Sequence, residues 1–257
     1  MKGRVLAIGG SDPSGGAGVQ ADIKTITALG GYAATAITAI TVQDTRSVTA
    51  IEPLAAALVV AQARAVLDDV GADAIKTGML ASAAIVEAVA DLLAGAEAPI
   101  VVDPVLAASS GGALLEPGAV ELLLQRLAPL AALLTPNAPE AARLTGISVA
   151  TTDDLRRAGE RLLTSGVRAV LMKGGHVPGE SVIDVLMTPE GERVFETSRI
   201  QTRHDHGTGC TLASACATGL AQGMTLGDAV ARAHAYVGEA LKRAPGFGAG
   251  RGPLGHV

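Results

Sequence analysis

Apolar positions along this chain follow two rhythms in turn. Short runs rich in Val, Ile, Ala and Leu predict strands at 4–8, 33–40, 47–51, 74–77, 99–103, 133–135 and 169–173, and later at 182–187 and 193–200. Between them, a repeat of three to four residues predicts helices at 17–29, 55–69, 82–93, 138–144, 152–164, 208–222 and 226–242. Apolar residues at 85, 89, 92 and 93, and at 226, 230, 233, 237 and 241, keep the helical period. Ser82 and Thr225 stand where N-caps belong. Strands alternating with helices imply an α/β fold, with a largely parallel sheet covered on both faces. The 182–200 stretch departs from this, because Pro189-Glu190-Gly191 joins two strands as a turn and predicts an antiparallel pair. No linker, internal repeat or low-complexity segment interrupts the pattern, so a single domain over 1–257 is expected.

Composition narrows the function. The chain is 49% hydrophobic but only 2% aromatic, so its core is built of Ala, Val, Leu and Ile. Mean hydropathy is positive, yet Arg64, Glu87 and Arg126 break the richest stretches before they reach membrane-spanning length. No cleavage pattern follows the short apolar run from Val5 to Ile8, and a soluble cytoplasmic protein is expected. A net charge of −5 without a basic cluster argues against nucleic acid as a partner. The two cysteines, Cys210 and Cys216, fall about 240° apart on one helix and suit reduced thiols rather than a disulfide. The five histidines lack zinc spacing; His204 and His206 have no matching pair, which leaves them a structural or surface role.

Chemistry-bearing residues cluster after strands, where open α/β sheets bind ligands. The turn from Gly9 to Gly18 is neither a P-loop nor a dinucleotide fingerprint, because its spacing fails and no Lys-Ser/Thr follows. It reads equally as a long turn or as a backbone cradle. His206-Gly207-Thr208-Gly209-Cys210-Thr211 opens an Ala-rich helix whose free amides and dipole suit an anion. Such a site serves phosphoryl transfer. Cys210 in the first turn is placed where a thiol becomes more acidic, able to accept a hydroxyl proton, or is simply a small core residue. Asn137 and Glu140 fit a capping box and also hydrated Mg²⁺, two roles that can coexist. Asp103 closes one strand as a candidate for ordering metal or water, and Lys173 closes another before two glycines, within reach of a phosphate. Gln43 offers a donor and an acceptor to a ring edge, although an exposed loop Gln is the commoner case. Asp22 on the first helix faces either solvent or ligand.

Taken in order, these segments resemble the hydroxymethylpyrimidine and phosphomethylpyrimidine kinases of the ribokinase superfamily. The likeness rests on 10–22, Val42-Gln43-Asp44-Thr45, Lys76-Thr77-Gly78-Met79-Leu80, Asp103-Pro104-Val105, Thr135-Pro136-Asn137 with Glu140, Met172-Lys173-Gly174-Gly175-His176, 206–212 and Gly252-Pro253-Leu254 before His256. It implies a ribokinase-like three-layer α/β/α fold, usually a homodimer, that phosphorylates a pyrimidine alcohol and its monophosphate with ATP and Mg²⁺ in thiamine biosynthesis. It implies that Gln43 hydrogen-bonds the pyrimidine, with Asp22, Met79, Val42, Ala17 and the Gly10 turn around it. Gly207, Thr208, Gly209 and Cys210 become the catalytic anion hole, Cys210 standing where related sugar kinases carry an aspartate base. Lys173 and Asn137 are assigned to the ATP phosphates, and Glu140, Asn137 and Asp103 to the metal. The chain departs from the pattern at Ser109-Ser110-Gly111, where many relatives have Lys-Ser-Gly, and at His204-Asp205, where Asn-Thr is frequent.

The competing readings are a pyridoxal kinase, a catalytically silent pyrimidine sensor and a sugar kinase. The first is weakened because 106–112 holds no second cysteine. A sensor is expected to lose Lys173 or the 207–210 segment, and both are intact. Cys210 in the aspartate position weakens the third.

Overall fold

The computed structural model describes residues 2–107, 114–116 and 118–256. Among the described residues, nine strands form one sheet: β1 (Arg4–Ser11), β2 (Tyr32–Gln43), β3 (Val48–Pro53), β4 (Ala74–Thr77), β5 (Ile100–Val102), β6 (Leu133–Leu134), β7 (Val170–Met172), β8 (Ser181–Thr188) and β9 (Gly191–Ser198). Their spatial order is β3-β2-β1-β4-β5-β6-β7-β8-β9. Pairing is parallel from β2 through β1, β4, β5 and β6 to β7. It is antiparallel where β3 joins β2 and where β8 and β9 extend the other end. The hairpin expected at Pro189–Gly191 is this last pair.

Adjacent residues of the central strands bury on opposite faces, as a strand's period of two requires. Leu6, Ile100, Val102, Leu134 and Met172 join one core with α2 (Ala56–Asp69), α3 (Ala83–Leu93), α5 (Ala138–Thr145) and α6 (Thr152–Thr164). Val5, Val101, Leu133 and Leu171 join the other with α7 (Thr208–Ala221) and α8 (Leu226–Lys242), beside α1 (Gly18–Ala28). Three layers result. α7 is buried from Thr211 to Gly219. Its Ala, Ser, Thr and Gly side chains are small enough to let it lie against the sheet with helices on either side. Ser82 Oγ accepts from Ile85 N, and Thr225 Oγ1 accepts from Asp228 N, as their positions predicted.

One element was not foreseen. Ala119–Leu122 forms the short helix α4, which runs on through a π-turn at Leu123–Leu127 and a 3-10 turn at Ala128–Leu130. Its apolar run is too continuous for a period to show. Among the described residues, no helix is long and apolar enough to cross a membrane.

Candidate active site

Strand β1 has a parallel neighbour on each side, β2 and β4; the chain leaves β1 for β2 on one side and leaves β4 for β5 on the other. At such a switch point the loops beyond the strand ends part and leave a crevice. A cavity of about 890 Å³ occupies it. Lining it are Gly9 to Ser11 at the end of β1 with Asp12 after it, Gln43 at the end of β2, Gly78 and Met79 after β4, Asp103 after β5, Lys173 after β7 and the first turn of α7.

That first turn is held open by geometry. Gly207 takes φ 87°, and a Cβ there would lie 1.8 Å from Gly16 O. Only glycine fits. The first α7 bond runs from Thr211 N to Gly207 O at 2.9 Å, so the amides of Gly209 and Cys210 belong to the stretch a helix leaves unpaired. Thr208 Oγ1 donates to Asp205 O at 2.6 Å. Asp205 in turn holds Arg251, and both border the cavity.

Lys173 sits beside this end. A Cβ on Gly209 would be 3.2 Å from Lys173 Nζ and 3.6 Å from Asp103 Oδ2. Lys173 Nζ donates to Asp103 Oδ1 at 3.0 Å and lies 3.9 Å from Glu140 Oε2. Burial would lower the lysine's pKa, but Asp103 and Glu140 outweigh it and hold it up at about 12. Asp103 also accepts from Thr135 Oγ1 at 3.0 Å. Asn137 and Glu140 form the full capping box, Asn137 Oδ1 accepting from Glu140 N at 2.9 Å and Glu140 Oε2 from Asn137 N at 2.8 Å. Burial pushes the Glu140 carboxyl up to about 7, against the pull of Lys173. Among the described residues, no cluster of three His, Cys, Asp or Glu side chains forms a ready metal cage. Mg²⁺ on a nucleotide needs none, because one or two carboxylates, phosphate oxygens and water complete its shell. Asp103 and Glu140, hard oxygen donors flanking Lys173, fit that role. Asn137 also lines the cavity, and its Oδ1, like Glu140 Oε2, accepts one bond from the cap and keeps a second lone pair.

Cys210 differs from expectation. Its thiol is not acidified: burial pushes it up to about 11, although Lys76 and the Gly18 N–H oppose the rise. Lys76 and Asp22 account for part of this setting. They are 1% and 0% exposed and pair at 2.8 Å, while Ser214 Oγ donates to Asp22 Oδ1 at 2.7 Å. Asp22 was expected to face the ligand or solvent. It lies at the cavity floor with its carboxylate already accepting from Lys76 and Ser214. Val42 does not join the ring-binding side either. It is 59% exposed, because alternation along β2 turns Thr41 and Gln43 to the cavity and Val42 away. Gly10, Ala17 and Met79 do line it.

Three functional-site residues escaped the sequence reading. Lys76 is one; a charged residue inside a strand buried at all four positions was its signal. The others are Asp12 and His206. His206 Nε2 lies 2.8 Å from Asp12 Oδ2 and 3.1 Å from the Gln43 side-chain amide. Asp12 also accepts from Ser14 N and Ala17 N, at 2.9 and 2.8 Å. Burial would raise its carboxyl, but the bonds from His206, Ser14 and Ala17 hold it below the usual range. His206 is therefore buried and not a surface residue. Ser109, Ser110 and Gly111 lie outside the described residues.

Comparison with known proteins places these features in a family. Residues 12–255 match the family model described as phosphomethylpyrimidine kinase. The chain is 48% identical to the hydroxymethylpyrimidine/phosphomethylpyrimidine kinase of Streptomyces coelicolor, over 98% of the chain and 93% of that protein. It is 46% identical to the Thiamine biosynthesis bifunctional protein ThiED of Geobacter sulfurreducens over its full length, but spans about half, 52%, of that relative. Among solved structures, an ADP complex of Bacillus subtilis pyridoxal kinase superposes with a TM-score of 0.93 at 34% identity, covering 100% of this chain and 98% of that one.

Proposed function

Because this chain belongs to the phosphomethylpyrimidine kinase family, we propose that it transfers phosphate from ATP to hydroxymethylpyrimidine, and then to the monophosphate, making the diphosphate used in thiamine biosynthesis. The observation that carries this reading is the position of the α7 amino end. Gly209 there abuts Lys173, and His206 just before it touches Gln43, within one cavity. A triphosphate and a flat ring can thus meet across the same four residues.

Phosphoryl transfer passes through a loose transition state, so positioning and positive potential matter more than a strong base. The Gly209 and Cys210 amides and Lys173 supply that potential. Asp103 and Glu140 would hold Mg²⁺, which would neutralise charge on the phosphates when bound. Cys210 accepts the hydroxyl proton in the first transfer, with Lys76 balancing the thiolate. The second transfer starts from a phosphate that is already anionic and asks for no such help. Gln43 reads the ring; Gly10, Ala17 and Met79 shape its slot. The exposed apolar residues Ile40 and Val42 beside the β3 edge support a homodimer, and the two free thiols suit a reducing cytoplasm.

Incubation with ATP, Mg²⁺ and hydroxymethylpyrimidine should give monophosphate and then diphosphate. No product of either kind would overturn the assignment. The likeness to pyridoxal kinase favours pyridoxal as a second substrate to compare; faster turnover of pyridoxal than of the pyrimidine would reverse the order of the two readings.

A further inference from the structure

The structure assigns to His206 a positioning role for the known reaction: the Asp12–His206 pair locks the Gln43 amide so that its amino group, not its oxygen, faces the cavity. The ring that binds there must therefore present a hydrogen-bond acceptor to residue 43.

The assignment follows from counting protons. Asp12, held ionised by its Ser14 and Ala17 amide bonds, can only accept. His206 Nε2 lies 2.8 Å from Asp12 Oδ2, so that nitrogen must carry the hydrogen. It carries one whether the ring is neutral or doubly protonated, so the conclusion does not depend on pH. A protonated Nε2 cannot accept from the Gln43 amino group 3.1 Å away. The Gln43 oxygen is then the atom that suits the His206 side, where it shares the single Nε2 hydrogen with Asp12 in a three-centre bond. A carboxamide makes this exchange by a half-turn that leaves its shape unchanged.

The far side of the amide accommodates the same half-turn. Thr41 Oγ1 lies 3.0 Å from Ser11 O, a pure acceptor, and 3.3 Å from the other polar atom of the Gln43 amide. A hydroxyl has one hydrogen. Spent on Ser11 O, it leaves Thr41 able only to accept, and an amino group is then what Gln43 must offer it. Both ends agree. The second N–H of that amino group is left for the ligand. His206 is buried at 7% exposure and Asp12 at 3%, so water does not compete for these bonds.

The inference rests on the proposed function only for the identity of the ligand, and two measurements keep them separate. In substrate-free protein labelled at histidine nitrogens, long-range proton–nitrogen spectra should show His206 protonated at Nε2, its signals identified by their loss in His206→Gln. A bare Nε2 would overturn the assignment whatever the substrate proves to be. In turnover, hydroxymethylpyrimidine is compared with two analogues, each with one ring nitrogen replaced by C–H. The wild type should lose about 10- to 100-fold in kcat/KM, mostly through KM, with one of the two. His206→Ala frees the amide to turn, and that ratio should shrink to about threefold or less. His206→Gln restores a donor to Asp12 and a donor to the Gln43 oxygen, and should keep most of the ratio. Equal discrimination in the alanine variant, or none in the wild type, contradicts the lock. A wild type that turns over no pyrimidine at all refutes the functional reading, and the spectra still decide the inference.

Discussion

Replacing Lys76 by Met separates what this residue does for the fold from what it does for the chemistry. Lys76 and Asp22 are 1% and 0% exposed, and their ion pair lies at 2.8 Å with Ser214 as a further partner of the carboxylate. Removing one member of a buried pair leaves the other uncompensated, at a cost of about 3–5 kcal/mol. For a chain of this size that lowers Tm by about 6–20 °C. Asp22 can escape part of the cost by taking a proton, since burial already raises its pKa. In the variant, the folded state would bind that proton at a higher pH than the unfolded chain. Relative to the wild type at each pH, the stability of Lys76→Met should therefore improve as pH falls from 8 toward 5. The double variant Asp22→Asn with Lys76→Met has no buried charge at the site and should return to within about 1 kcal/mol of the wild type. Its activity should not return fully, because Lys76 lowers the Cys210 thiol more than Asp22 raises it. Lys76 is the main cation opposing the rise of the Cys210 thiol to about 11, and each further unit leaves tenfold less thiolate. Denaturant unfolding followed by circular dichroism reads the first effect; quenched single turnovers on hydroxymethylpyrimidine read the second. A loss under about 1 kcal/mol in Lys76→Met would refute the burial argument, and a double variant regaining full first-step rate would refute the electrostatic one.

Cys210→Ala should slow the first transfer by about 10²–10⁴-fold and the second far less, measured separately by single turnover; equal losses would remove Cys210 as a proton acceptor. The wild-type first-step rate should rise with pH across the neutral range, because the thiol at about 11 is mostly protonated there, and Cys210→Ala should flatten that profile. Gly207→Ala places a methyl 1.8 Å from Gly16 O and should cost more stability than Gly30→Ala, where φ is also positive but nothing lies within 4 Å. Strain alone predicts about 1–3 kcal/mol for the Gly30 control; equal Tm losses would show that the Gly16 contact does not matter. His256, 5% exposed and 3.0 Å from Thr211 Oγ1 in the first turn of α7, is lowered to about 4 by burial and by Lys24. The unfolded chain then binds the proton first as pH falls, so up to about 3 kcal/mol present above pH 6.5 is lost between 6.5 and 4. His256→Gln should remove that slope from urea titrations run at each pH.

The parts of this protein that were legible in its sequence are those set by neighbours along the chain. The nine strands of the described residues could be placed, most of them because they are short apolar runs, and β9, whose apolar residues are Val194 and Phe195, because the Pro189-Glu190-Gly191 turn pairs it with β8. The Asn137–Glu140 capping box is a contact three residues long. The α7 anion site needs only two glycines and a helix start. The stretch from Ala119 to Leu130 failed for the opposite reason: it is apolar nearly throughout, its Pro129 sits inside, and no period separates a buried helix from a buried strand. Val42 failed by one position, since it sits beside Gln43 in the sequence and on the opposite face in the strand.

The side-chain pairs that tune the site were invisible for a different reason. Asp12 and His206 are 194 residues apart, Asp22 and Lys76 54 apart, Asp22 and Ser214 192 apart. No local pattern links such partners. What links them is the strand order: β1 between β2 and β4 brings the turn before α1, the end of β4 and the start of α7 to one crevice. The polar side chains buried around that crevice are largely shielded from solvent and pair with each other. Burial is thus what turns Asp12, Lys76 and His206 from unremarkable members of three separate segments into parts of one site. A fold-level expectation of a switch point between β1 and β4 would have been enough to ask which charged residues end those strands, and Lys76 and Asp12 are the answers it returns.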